Sequence, residues 1–367
     1  MKHVRCKHLI KIGIILLFMF FDSLPVEAQH GLKWKELPPL PDTVGRAGMF
    51  AGVSGGRLFC MGGANLPDKY PWEGGKKVWH DDIFMLDEGG EWHLLESKLP
   101  TPLAYGVSVS YDNHIVVVGG SGKDRHYADC VAFRWEEGRL IKEQYPALPV
   151  SLANMAGTLV GDVIVVVGGS ESSAGNPSNQ CYLLDLQNLS EGWVQLAELP
   201  GPVRVFPVVG AKGMSLFVFS GEGVFHDIYG VARRQIFSDA YRLDLSRSNG
   251  AWEGEWRTLA PMPKAAAAGP TPAPLLANCF LLWGGIDGVS ALHNDPETYP
   301  ELPNDILRYY PDSDMWEFQQ GNPQWPGRVT LPTVFYHGYS YYVNGEVKPG
   351  VRTNRIVGVA SSNAGNN

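Results

Sequence analysis

The chain has 367 residues, with 43 glycines, 27 prolines and 11 tryptophans spread along it, and a formal net charge of −8. That charge argues against a nucleic acid or an anionic membrane as partner, since either needs a basic face to release counterions, whereas a small anionic ligand needs only a local cation cluster. The even spread of glycine and proline points to one repeat architecture of many short strands rather than two unlike domains and a linker.

In chain order, the first element is a targeting segment. Lys2, Arg5, Lys7 and Lys11 precede or enter the apolar run "IGIILLFMFF", which is followed by "VEAQ". The run is too short to span a bilayer, and Val26 and Ala28 are the small residues that suit cleavage before Gln29. Residues 1–28 are therefore expected to be a signal peptide that exports the protein to a periplasm. Cys6 lies ahead of the apolar run, so a lipid-anchored cysteine is not indicated. Cys60, Cys130, Cys181 and Cys279 each sit in or beside an apolar run, where cysteine behaves as a small buried hydrophobe, and free thiols are expected.

From residue 29 onward a period is visible. Apolar runs ending in a glycine doublet recur as "RLFCMGG", "HIVVVGG", "VIVVVGG" and "CFLLWGG", with degraded copies "SLFVFSG" and "SYYVNG". The doublets begin at residues 62, 119, 168, 220, 284 and 344, at steps of 57, 49, 52, 64 and 60. This is kelch-like spacing of roughly fifty residues. Each unit runs from a proline-rich approach through a small-residue strand, the doublet strand, a variable loop and a third strand. A fourth strand follows, marked by Trp92, Trp193, Trp256 or Trp316.

Four strands per unit make a propeller blade, so the expected fold is an all-β, six-bladed, kelch-type β-propeller over residues 29–362. The last unit, ending in "NRIVGVASS", lacks its outer strand, and residues 363–367 are a polar tail. "LKWKELPPLP" has the form of the other outer strands, so Trp34 is expected to begin the strand that closes the ring. The doublets and tryptophans are read as backbone and packing devices, silent about chemistry.

Chemistry is sought in the loops at one end of the channel. The residue after each doublet reads Ala64, Ser121, Ser170, Glu222, Ile286 and Glu346, so two carboxylates occupy equivalent slots suited to general acid or base work. The approaches to the first strands carry Arg46, Tyr105, Arg204 and Arg328. Arginines converging from several blades would clamp a carboxylate; the alternative for each is a salt bridge between blades. The segment "NGEVKPGVRT" adds Glu346, Lys348 and Arg352 around a short Pro-Gly turn.

That segment resembles the signature of the N-acetylneuraminate epimerase (sialic acid mutarotase) family. "GGANLP", which contains Asn65, "LAYGVSVSYDNHIVVVGG" and "RRQIFSDAYRLDL" are similar to the same family. The Asn-Gly-Glu segment falls in the last blade here and mid-chain in the better-known members, so the likeness is to a cyclically permuted branch; a closed ring tolerates a new cut. The resemblance implies Glu346 as base and Arg352 as its partner, with Arg46, Asn65, Tyr105, Arg204, Glu222 and Arg328 as substrate-binding candidates. It implies a sialic acid substrate, ring opening and reclosure, and no cofactor. The general acid stays open among Glu222, Tyr105 and a bound water. Three other readings compete. A non-catalytic kelch module would bind a glycan or protein on its rim. A copper oxidase would need grouped ligands, and His80, His126, His226, His293 and His337 show no paired spacing. A glycosidase would use Glu222 and Glu346 at a defined separation.

Overall fold

The structure is a computed structural model that describes residues 31–362 apart from 227, 294, 296, 297 and 300. The expected signal peptide, Cys6 and the tail at 363–367 lie outside the described residues.

Six four-stranded antiparallel sheets follow one another around a ring. Blade 1 holds the strands Phe50–Ser54, Arg57–Met61, Ile83–Leu86 and Trp92–Leu94, and blades 2 to 5 repeat this order from Val107 to Gln319. Blade 6 takes Thr333–Tyr336, Tyr339–Val343 and Ile356–Ser361 from the end of the chain and Leu32–Leu37 from its beginning. The register of that closure runs from Leu32 opposite Ser361 to Leu37 opposite Ile356. The expected six-bladed propeller, sealed by the Trp34 strand, is what the structure shows.

Each blade is covered on both faces by its neighbours, which is why the second strands read as unbroken apolar runs rather than alternating ones. Val163–Val167 is buried at every position. The core is accordingly divided among the six seams. Val165 and Val167 of blade 3 meet Val218 and Leu243 of blade 4, for example, and Tyr341 and Ile356 of blade 6 meet Leu58 and Phe84 of blade 1. Losing one such anchor, as in Phe280→Ala at the seam of blades 4 and 5, costs about 3–5 kcal/mol. The outer-strand tryptophans fasten the periphery of the seams. Indole N–H groups of Trp92, Trp193, Trp256 and Trp316 donate to the carbonyls of Pro38, Pro146, Ala197 and Ala260 at 2.7–2.9 Å. The four cysteines lie buried and unpaired, one in each of four blades.

The doublets fasten the inner ends. Their second glycine donates its N–H across the seam: Gly63 to Leu103, Gly120 to Leu152, Gly169 to Arg204, Gly285 to Arg328 and Gly345 to Arg46, at 2.8–3.1 Å. Gly62 has φ 60°, and a Cβ there would lie 2.4 Å from the Leu103 carbonyl oxygen, so the backbone leaves no room for a side chain. In blade 4 the first doublet position is Ser220, whose hydroxyl oxygen accepts the Ala266 N–H of the next blade at 3.0 Å.

Candidate active site at the channel mouth

Six equivalent residues, Gly48, Tyr105, Asn154, Phe206, Ala268 and Thr330, share a left-handed backbone with φ of 54–61°. That conformation turns each N–H toward the carbonyl of the preceding blade's equivalent residue, and six hydrogen bonds of 2.7–2.9 Å close into an annulus around the channel. The annulus is the floor of a cavity of about 480 Å³, a size suited to a small-molecule ligand. On its other side the channel holds a space of about 60 Å³.

The residue before each annulus member pairs with the residue after each doublet: Ala47 with Ala64, Ala104 with Ser121, Ala153 with Ser170, Val205 with Glu222, Ala267 with Ile286 and Val329 with Glu346. The slots compared in the sequence are therefore equivalent in space and ring the mouth. From them rise short arms made by the connections between second and third strands.

Glu346 stands on a short arm, where Glu346–Lys348 pairs with Val351–Arg352 and the register shifts at the turn. Its Oε2 accepts the Gly350 N–H at 3.0 Å and its Oε1 accepts Arg352 Nη2 at 3.2 Å. The Thr330 hydroxyl lies 3.3 Å from Oε1, within reach of Val329 O as well at 2.8 Å. The carboxylate is thus oriented by its own arm and by the floor, with one edge on the cavity. Gly350 has φ 78°, and a Cβ there would meet Pro71 Cδ at 2.6 Å, so the turn is pressed under the blade 1 insertion and only glycine fits.

Arg352 is buried, with 3 % of its side chain exposed, and sits behind Glu346 rather than on the cavity wall. Among the described residues Nε and Nη1 have no hydrogen-bond partner. Tyr105 lines the floor, its hydroxyl buried and without a partner among the described residues. The Lys77 ammonium lies 5.0 Å from the Tyr105 ring centroid. Glu222 is tied through Oε2 to Arg234 of its own arm, at 2.6 Å from Nε, and it is Arg234 that lines the cavity.

The other candidates lie elsewhere. Arg46, Arg204 and Arg328 do not converge on the mouth; each is at most 4 % exposed and is consumed in a seam. Their guanidinium groups donate to the carbonyls of Gly62, Ser220 and Asn344 at equivalent positions. Arg46 also binds Asp42 and Asp82, and Arg204 holds Asp239 with two parallel bonds. The physical reason is position: two residues before the annulus, a long side chain runs into the seam, where a doublet carbonyl awaits a donor. Asn65 is likewise buried between blades, bonded to His80 at 2.9 Å and reaching Asp42 at 3.4 Å.

The cations at the mouth are instead Lys77, Lys123, Arg125 and Arg234, from blades 1, 2, 2 and 4. None was singled out in the sequence. They sit in the variable loops, where one repeat has no counterpart in the next, although Lys123 and Arg125 follow the second doublet closely in "SGKDRH". Lys77 and Lys123 have no acidic partner among the described residues. Of the five histidines considered as metal ligands, His80 lies in the seam with Asn65, His126 lines the cavity, His293 bonds Thr298, and His337 stacks on Tyr336. The side chain of His226 is outside the described residues.

Comparison with known proteins adds to this geometry. A family model described as N-acetylneuraminate epimerase matches residues 23–141 and 145–287. The N-acetylneuraminate epimerase of Brucella melitensis biotype 1 is 27% identical over 248 residues, 60% of this chain and 60% of its own. The Pasteurella multocida enzyme of the same name is 28% identical over 233 residues, 57% of each chain, and the Salmonella arizonae one 36% identical over 125 residues, 30% of this chain and 32% of its own. The chain thus spans about 60% of the length of the Brucella relative it matches. The solved structure of YjhT covers 89% of this chain and 97% of its own with a TM-score of 0.63 at 16% identity, which shows a shared fold.

Proposed function

The chain belongs to the N-acetylneuraminate epimerase family, and from that premise we propose that it is an isomerase that interconverts the α and β anomers of sialic acid. The observation that carries the reading is the placement of Glu346. Its carboxylate is fixed by Arg352 and the Gly350 N–H at the edge of a cavity whose other walls bring cations from three blades. Sialic acid is a cyclic hemiketal with a carboxylate on the anomeric carbon. Glu346 takes the proton of the anomeric hydroxyl, the ring carbon–oxygen bond opens as the ring oxygen takes its electron pair and a proton from an acid, the ketone rotates, and closure on the opposite face returns both protons. Arg352 holds Glu346 in one orientation and balances its charge. The role expected of Arg46, Arg204 and Arg328 passes to Lys77, Lys123, Arg125 and Arg234, which face the cavity and suit a carboxylate.

The family match ends at residue 287, ahead of the Glu346 arm, so the role of Glu346 rests on the resemblance of "NGEVKPGVRT" and on the geometry of its arm. Export to the periplasm is part of the proposal and rests on the cationic and apolar pattern of residues 1–28.

The test is to release α-sialic acid with a sialidase and follow it by proton NMR. The reading expects the α signal to decay faster with the protein than in buffer. Equal decay contradicts it.

A further inference from the structure

The arms at the mouth share one more equivalent position, the residue directly across from the slot. It is Trp79 opposite Ala64, His126 opposite Ser121, Pro177 opposite Ser170, Ile236 opposite Glu222 and Arg352 opposite Glu346. Where this residue is polar in blades 1 and 2, it leans over the next blade's slot: Trp79 Nε1 donates to Ser121 Oγ at 3.2 Å, and His126 Nδ1 lies 2.9 Å from Ser170 O. His126 is thus the blade 2 counterpart of Arg352.

Its environment defines its chemistry. The imidazole is 6 % exposed and lines the same cavity as Glu346. A backbone carbonyl can only accept, so Nδ1 carries a proton in every state of the ring, and proton exchange is confined to Nε2. Among the described residues Nε2 has no hydrogen-bond partner. A histidine held by one nitrogen, with the other free beside a cavity, is the arrangement of an acid or base oriented by its neighbour. Around it stand Lys123 and Arg125 from its own arm, Lys77 from blade 1, Arg234 from blade 4, Glu171 from blade 3 and Glu346 from blade 6.

We propose that His126 is the second proton-transfer group of the site, donating to the ring oxygen of the sugar while Glu346 serves the anomeric hydroxyl. This rests on the mutarotase reading above. As the ring carbon–oxygen bond breaks, its electron pair stays on the ring oxygen, which takes the Nε2 proton of the imidazolium. The anomeric O–H pair becomes the second bond of the ketone, and its proton passes to Glu346. On reclosure the hydroxyl that attacks the ketone returns its proton to Nε2, and Glu346 returns its own to the new anomeric oxygen. Both groups end as they began, and no co-reactant is consumed.

The experiment compares wild type, His126→Asn and His126→Gln by NMR exchange between sialic acid anomers across about pH 5 to 9, with buffer rates subtracted. The amide nitrogen of asparagine can replace Nδ1 as donor to Ser170 O, so His126→Asn keeps the seam contact and removes only proton exchange. The expected result is a kcat lower by about 10²–10⁴-fold in both variants, KM within about twofold, and a pH–rate profile that differs from that of wild type. Wild-type kcat and an unchanged pH profile in His126→Asn overturn the role of His126 and leave the mutarotase reading standing. A wild type no faster than buffer sinks the mutarotase reading, and this proposal with it.

Discussion

Arg204 and Arg352 are both buried arginines at the inner edge of a blade, and each faces one carboxylate. Arg204 spends its donors on two oxygens of Asp239 and on the carbonyls of Ser220 and Pro202. Among the described residues Arg352 makes one side-chain bond, to Glu346, and its Nε and Nη1 have no partner. A fully used guanidinium closes a seam, and nothing is left with which to address a ligand. A partly used one holds a carboxylate in place with donors that are not committed to the seam. In this pair saturation, more than residue type or burial, separates the cement of the ring from its chemistry.

The largest expected effect lies on the functional side of that comparison. Glu346→Gln keeps the shape and the arm but removes the base, and kcat for anomer exchange should fall by about 10²–10⁴-fold while the thermal midpoint stays within a few degrees. On the cement side, Arg204→Met strands Asp239 and two carbonyls in the seam. Chemical denaturation should report a loss of about 3–5 kcal/mol, with kcat per folded molecule unchanged. A smaller effect separates the seam by pH. Burial alone pushes the Asp82 carboxyl up, but hydrogen bonds and charge from Arg46 and Lys98 outweigh it and hold it below the usual carboxylate value. The stability this brings is complete above the ordinary value of about 3.9 and is lost as pH falls through the depressed one. Asp82→Asn should flatten that acid limb in denaturation curves recorded between about pH 5 and 2. The smallest effect belongs to Glu222→Gln, since Glu222 is turned onto Arg234 of its own arm. Its kcat should stay within about twofold of wild type, and a loss as large as that of Glu346→Gln would make the two acids a working pair.

The ring was legible in the sequence because its devices repeat. A glycine doublet that bends the chain into a seam, a tryptophan that caps the seam with the preceding blade, and "LKWKELPPLP" standing in for a missing outer strand are each visible by comparison with the other copies. The Glu346 and Glu222 slots were legible for the same reason, because pairing with the residue before the annulus fixes them in every blade. Arg46, Arg204 and Arg328 were misplaced because two residues along an irregular approach decide whether a side chain enters the seam or the mouth, and periodicity does not carry that distinction. Lys77, Lys123, Arg125 and Arg234 went unread, and His126 was weighed only as a metal ligand, because they lie in arms of unequal length, where no copy supplies an alignment. Burial and hydrogen-bond partners, which only the folded chain displays, sorted both groups.

The most direct measurement is the rate of exchange between the anomers of sialic acid, normalised to folded protein, for wild type, Arg204→Met and Glu346→Gln side by side. The account predicts that wild type and Arg204→Met exchange the anomers at the same rate, well above buffer, while Glu346→Gln falls toward the buffer rate. Exchange by Glu346→Gln at the wild-type rate, or a fall in Arg204→Met to match it, would contradict the division between cement and chemistry.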